Sequence, residues 1–406
     1  MLPDDLHDNM WDKEVIDDPY TYYGLLRERD PIHWNEQYEV WIITSHADVV
    51  WVTRYPELLS SAIYFNDSRP PYPQIDESDL GLFEYARRVQ GDQFIQHDRP
   101  GHLDMRKALH EFFLRRSLES WRPLVKAAIK DLLDESEGLG RMDVMRDFAT
   151  PLPVFVISEM MGVPRQDRPL IRSLTQQFVR ITYGETDRMK VADQGLKGLM
   201  EYVESLVQER QSHPGDDLVS VVLGGERSGA FNRHQVLVNL VLLLVAGHET
   251  TVNLLCNGLL ALVRNPKEWH RLKSDPTLVE STTEECLRFD SPIKSLQRIA
   301  ADDVVIREKT LRKGDRVRWF IASANRDPMV FDRPDEFDIT RHPNPHVAFG
   351  SGIHHCLGAY LGRMEGQEAF AALAQRFDSL ELDGDNLEYA PSIAFRSLTS
   401  LPITWA

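Results

Sequence analysis

From roughly Asn232 to Arg264 the sequence reads as one long helix closed by Pro266. It would be about 50 Å long if continuous at roughly 1.5 Å per residue. Its first half, VLVNLVLLLVAG, is apolar nearly all round. Such a helix belongs at the centre of a protein, wrapped by others. A break in character follows at Ala246-Gly247-His248-Glu249-Thr250-Thr251, where a small pair, an acid and two hydroxyls interrupt the apolar run. Gly247 costs roughly 1 kcal/mol of helix stability relative to Ala. Thr250 has the spacing to bond back to the carbonyl of residue 246 and bend the helix. Two readings stand. One is a packing notch with a satisfied polar patch, since a buried acid needs partners. The other is a groove beside a bound molecule, with an acid and an alcohol to pass protons.

The second constraint is Phe349-Gly350-Ser351-Gly352-Ile353-His354-His355-Cys356-Leu357-Gly358. Gly350 and Gly352 can take positive φ and bring the backbone close to a flat ligand. After Cys356, the placing of Leu357, Leu361 and Met364 among polar residues predicts an amphipathic helix. A cysteine at that helix start sits in the positive end of the macrodipole, which favours thiolate over thiol. Most lone cysteines are small buried hydrophobes. Zinc is a poor fit, because adjacent His and Cys ligands do not easily close a tetrahedron and no second pair lies nearby. Thiolate ligation of haem iron is one chemistry that demands a permanent thiolate.

Elsewhere the signals are weaker alone. PIHWNEQYEVWIIT (31–44) predicts a hairpin. Ser45 and Asp48 open a helix with an acidic variant of the capping box. Residues 61–96 show no steady period, and the Pro-, Asp- and Ser-rich 66–79 within them predicts a long loop, functional or disordered. His102 and Arg106 share a helix face and can meet one anion. Several helices are expected over 120–212, interrupted by Pro151, Pro153 and Pro164, with a loop near Gly184. Glu285 and Arg288 have ion-pair spacing on a helix. Strands are expected at Val304–Ile306 and Arg316–Ile321 around the Lys313-Gly314-Asp315 turn, and short strands at the C-terminus.

The 406 residues carry a net charge of −17, which argues against nucleic acid or an anionic membrane as a general partner. Hydrophobic residues at 42% and charged residues at 27% fit a soluble globular protein. The opening MLPDDLHDNMWDKEVIDD lacks a basic n-region and apolar core, so neither a secretory signal nor a membrane anchor is expected. The longest apolar run, Leu240–Gly247, is short for a bilayer span. Cys256, Cys286 and Cys356 are too few for a disulfide scaffold and suit a reducing cytoplasm.

The pattern F-G-x-G-x-H-x-C-x-G closely resembles the haem-binding loop of the cytochrome P450 family. The A-G-x-E-T-T string resembles its oxygen-activation segment, and H-x-x-x-R and E-x-x-R match two further family motifs. These matches spread over more than half of the chain yet converge on one cofactor, which implies a single domain over residues 1–406. The implied fold is mainly α with minor β sheets and a long central helix. The resemblance implies haem b, with Cys356 as axial ligand and His102, Arg106, Arg298 and His354 as propionate partners. Phe349, Gly350, Gly358, Ala246 and Gly247 would contact the cofactor. Glu249 and Thr250 would manage proton delivery. Leu243, Leu244, Ala246, Ile293, Lys294 and Leu398 would wall the substrate pocket, under a roof from the 61–96 loop, and Lys294 would be placed to meet a substrate carboxylate. Glu285 and Arg288 would form a buried lock; Glu336 stands where its third, basic member is usual, and Arg341 is the substitute. Ser397 stands where Gly is usual. The implied activity is a cytoplasmic monooxygenase inserting one oxygen atom of O₂ into a small, largely apolar substrate. Electrons would come from a separate ferredoxin and its reductase, docking near Lys107, Arg115, Arg116 and Arg363. A peroxygenase or isomerase of the same fold, or a haem sensor without turnover, are the alternatives.

Overall fold

The computed structural model describes residues 8–67, 69, 75–185, 187–384 and 386–405, and it is mainly helical with small sheets. The central apolar segment forms two helices, Arg233–Ala246 and Glu249–Arg264, rather than the one continuous helix expected. Asn232 starts the first with a full capping box: its side chain accepts from Gln235 N at 2.9 Å, and Gln235 Oε1 accepts from Asn232 N at 3.0 Å. Gly247 and His248 lie between the two helices, where His248 N turns to Val245 O, three residues back instead of four. Thr250 Oγ1 donates to Ala246 O at 2.8 Å, the back-bond that bends helices. A Cβ at position 247 would meet Leu243 O at 3.1 Å and Ile157 Cδ1 at 3.2 Å, so the break is also a point of close packing.

By length and apolarity, Arg233–Arg264 is the one candidate membrane span among the described residues, with mean hydropathy 1.5 over its best window. The single apolar run is therefore not the right measure. Of that window 61% is buried inside the protein, and its Leu and Val side chains run through the largest core cluster, so packing by neighbouring helices accounts for the apolarity.

The main sheet orders its strands Ile32–Asn35, Val40–Ile43, Arg316–Phe320, Ser295–Ala300 and Leu59–Ser60. The first two form the expected hairpin, with Trp34 opposite Trp41. Strand Ser295–Ala300 runs antiparallel to Arg316–Phe320, pairing Leu296 with Trp319 and Arg298 with Val317. A second sheet joins Arg141–Asp143, Pro402–Thr404 and Glu381–Leu382.

The stretch 61–96 is partly helical, on either side of the Pro-, Asp- and Ser-rich part expected as a loop, whose described residues 67, 69, 75 and 76 lie in neither helix nor strand. It contains the helices Ile63–Asn66 and Leu80–Gly91, the latter burying Ala86 and Val89; of the Pro-rich part, residues 68 and 70–74 lie outside those described. Pro151 and Pro153 mark a boundary between helical segments, Met145–Ala149 ending just before them. They occupy the first turn of Pro151–Met160, where a missing N–H costs nothing.

Glu285 and Arg288 pair at 2.8 Å with both side chains fully buried. Arg341 Nε lies 3.2 Å from the same carboxylate and supplies the third, basic member. Asn344 Nδ2 at 3.1 Å and Asp338 N at 3.0 Å complete the carboxylate's partners. Glu336 contributes through its backbone, its carbonyl accepting from Arg288. The lock fastens the helix Val279–Phe289 to the loop that leads into the cysteine segment.

Candidate functional site

The cysteine loop is shaped by two glycines in the left-handed region, Gly350 at φ 67° and Gly352 at φ 70°. At Gly352 a Cβ would sit 2.2 Å from Thr53 O, so no side chain fits. Phe349 O accepts from Cys356 N at 2.9 Å, which closes the loop and presents the sulfur. The following helix runs Ala359–Arg376, so Cys356 stands three residues before it rather than in its first turn. The Cys356 thiol is exposed, facing a cavity of about 260 Å³ that it helps to line.

Enclosure pushes the Cys356 thiol pKa up, against the pull of the Gly358 N–H and of the Arg106 and Arg363 guanidiniums. Cys356 thus lacks the helix-start position expected for it, and these neighbours offset enclosure only in part. Desolvation is the larger effect.

Helices supply one part of the wall through Leu243, Ala246, Gly247, Thr250 and Thr251. Ile293 and Leu296 line it from around the strand Ser295–Ala300. Three residues expected in the lining are absent from it: Leu244, Lys294 and Leu398. Leu244 is one helical step from Leu243 and is buried in the core. Lys294 follows Ile293 in extended chain, so it points the other way; it is 2% exposed, and burial drives its amine pKa well down. Leu398 is buried where it bridges to Tyr389.

At the cavity edge, His102, His354, Arg106 and Arg298 come together. The two imidazoles lie 4.1 Å apart, centroid to centroid. Arg106 donates to His355 O at 2.6 Å, and the Arg298 guanidinium lies over the Trp319 ring at 5.2 Å. Burial, followed by Arg106 and Arg298, holds His102 down at about 4. Burial, then Arg298 and His102, takes His354 to about 2. Both ring nitrogens of His102 and Nδ1 of His354 are buried without a hydrogen-bond partner among the described residues. His354 Nε2 lies 2.8 Å from Ser61 Oγ. Cations crowded together with unpaired buried donors form a socket for anionic oxygens. Among the described residues no group of three or more His, Cys, Asp or Glu side chains could hold a metal ion. A flat, mostly apolar group with two carboxylates, whose metal takes one thiolate, fits this cavity.

Thr250 lines the cavity, with its hydroxyl hydrogen committed to Ala246 O. Glu249 lies outside the lining, buried, and accepts from Ser397 Oγ at 3.0 Å. Burial raises its pKa, against the Ser397 and Asn253 side chains. The serine found in place of a glycine thus binds the acid. Sequence reasoning missed a second acid, Glu365, which lines the cavity from the helix after the cysteine. Its pKa is raised by burial to about 8, and Thr251 Oγ1 lies at 3.5 Å. In the sequence it is one acid among several in an amphipathic helix; the only signal is that it falls beside Met364 on the apolar side.

A family model described as Cytochrome P450 matches residues 141–276 and 273–395. A biotin biosynthesis cytochrome P450 of Bacillus subtilis (strain 168) is 34% identical over 396 residues, covering 97% of each chain. The polyketide biosynthesis cytochrome P450 PksS of the same strain is 34% identical over 404 residues, again covering 97% of each. Among solved structures, P450BioI in complex with hexadec-9Z-enoic acid ligated acyl carrier protein superposes with a TM-score of 0.87 at 33% identity, covering 97% of this chain and 99% of that one.

Proposed function

The chain belongs to the cytochrome P450 family, and on that premise we propose that Cys356 is the thiolate ligand and that Glu249 and Thr250 govern proton supply. As a member it is a monooxygenase that binds haem b through a cysteine thiolate and acts on a small molecule with O₂. Bound, the haem supplies the redox chemistry that splits dioxygen and places one of its atoms in the substrate.

The observation that carries the residue assignment is one cavity lined by both the Cys356 thiol and the Thr250 hydroxyl, with unpaired imidazole nitrogens at its edge. In this reading His102, His354, Arg106 and Arg298 bind the propionates, which satisfies those nitrogens. Phe349, Gly350 and Gly358 line the cavity beside Cys356, and Ala246 and Gly247 line it from the central helix with Leu243. The Thr250 hydroxyl turns its lone pairs to the cavity and positions a proton donor there. Glu249, its pKa raised by burial and its carboxylate held by Ser397, passes on the proton that reloads this position. The substrate is small and largely apolar, in keeping with walls of Leu, Ile, Phe and Ala.

Electrons are read as coming from a ferredoxin-type donor. Lys107, Arg115 and Arg116 are exposed and with Arg363 form the cluster read as its dock, in which Arg115, Arg116 and Arg363 each face a carboxylate, Glu119, Glu111 and Glu284, that a donor would compete with. The net charge of −17 argues against nucleic-acid or membrane partners, and the three cysteines suit a reducing cytoplasm. Residues 1–406 are read as one unit, because the lining runs from Phe94 to Glu365.

The test is coupling. Thr250→Ala binds substrate and consumes reduced nicotinamide, but diverts the electrons to hydrogen peroxide. Glu249→Gln instead slows turnover by about 10²-fold, with a larger solvent isotope effect. Product formed per nicotinamide consumed, measured with peroxide, decides it. Normal coupling in Thr250→Ala removes the relay and favours a peroxygenase, an isomerase or a sensor.

A further inference from the structure

The strand Ser295–Ala300 separates the cysteine cavity from a second one. Leu296 lines the first, and its neighbour Gln297 lines the second, as strand alternation requires. The second cavity has a volume of about 200 Å³. Trp11, Ile63, Phe83, Ile181 and Met189 give it an apolar part. Its polar part is unlike the rest of the molecule. The whole chain has 63 acids to 46 bases, yet this wall carries four arginines, Arg69, Arg87, Arg316 and Arg318, and a single acid, Asp67.

Three of the four arginines have a carboxylate. Arg69 pairs with Asp67 at 2.8 Å, and Arg316 pairs with the same Asp67. Arg87 pairs with Glu84 at 2.8 Å. Arg318 has none among the described residues. It donates to Ser295 Oγ at 2.9 Å and to Gln297 Oε1 at 2.6 Å, both neutral acceptors. The groups acting on its charge are the Tyr23 and Tyr64 phenols and the repelling Arg316; burial pulls its pKa down to about 10. A half-buried guanidinium at a cavity wall, held only by neutral oxygens, is open to an anionic partner, and its planar fork matches a carboxylate in two-point contact. The sequence placed such a role on Lys294, but that amine is buried away from the cysteine cavity and is not in this second lining either.

We propose that this second cavity is a binding site for an apolar monocarboxylic acid, whose carboxylate is received by Arg318 in place of the Gln297 amide and whose hydrocarbon body lies against Trp11, Ile63 and Phe83. The site stands apart from the haem assignments, since none of its lining residues is shared with the cysteine cavity.

Calorimetric titration of the haem-loaded protein with decanoate, methyl decanoate and 1-decanol at pH 7.5 tests it. Decanoate binds about tenfold or more tighter than its ester and alcohol, the value of a charged hydrogen-bond pair. Arg318→Gln removes that preference. Because loss of Arg318 also removes its bonds to Ser295 and Gln297, a second variant is needed. Gln297→Glu, nearly isosteric, sets an internal carboxylate against the guanidinium. It abolishes the preference for the acid while leaving the melting temperature and the haem spectrum as in the wild type. Equal affinity of acid and ester in the wild-type protein, or an acid preference that survives in Gln297→Glu, overturns the proposal.

Discussion

Glu365 shows what a single residue can conceal in a sequence. Its carboxyl pKa is raised by burial from 4.5 to about 8, so near neutral pH it holds its proton inside the fold and loses it in the unfolded chain. Across that window the folded state binds the extra proton, so its contribution to stability is full below about pH 4.5 and declines until about pH 8. Glu365→Gln therefore melts about 5 °C higher than wild type at pH 8, and the gap closes toward pH 5. A gap independent of pH contradicts the buried, protonated acid. Cys356, His102, Arg106 and His354 were legible because their spacing carries a pattern. Glu365 and Arg318 were not, because nothing in a lone acid or strand arginine says which cavity it faces. Lys294 and Leu244 failed for a related reason. Each adjoins a residue that does line the cavity, and a shift of one position reverses the face of a strand or turns a helix by about 100°.

At the scale of elements, local chemistry was read more surely than continuity. The hairpin, the turn at Gly314 and the helix opened by Ser45 follow from turn and cap residues. The sequence predicts one unbroken central helix even though it carries the residues that break it, Gly247 and the back-bonding Thr250. The cost of each was visible; their sum at one turn decides the break. Helix Leu80–Gly91 was hidden because the Pro-rich stretch before it masks the start of its period. The Glu285–Arg288 lock gives the element-scale prediction. Arg288→Ala removes the fully buried partner of Glu285 and the donor that serves the Asn325, Pro334 and Glu336 carbonyls, and costs about 3–5 kcal/mol. Arg341→Ala costs less, since Arg288, Asn344 and the Asp338 amide remain on the carboxylate. Urea unfolding measures both, and midpoints equal to wild type for Arg288→Ala would show that the pair holds nothing together.

For the whole molecule, the composition excluded little beyond class, whereas four short motifs spread along the chain anticipated a common centre. Three of them meet because the broken central helices, the helix carrying Arg106, the strand carrying Arg298 and the cysteine loop surround one cavity, while Glu285 and Arg288 lie outside its lining and fasten the approach to the cysteine loop. The second, arginine-lined cavity was not legible, since its walls come from segments as far apart as Trp11 and Ala394. The central claim is that a single thiolate, that of Cys356, holds the haem in this cavity. Its most direct test is the absorption spectrum of the reduced protein under carbon monoxide, recorded for wild type and Cys356→Ser. The account predicts a thiolate-shifted Soret band in the wild type and its loss in the variant, because a neutral hydroxyl is a poor iron ligand. A full thiolate band in Cys356→Ser, or none in the haem-loaded wild type, would contradict it.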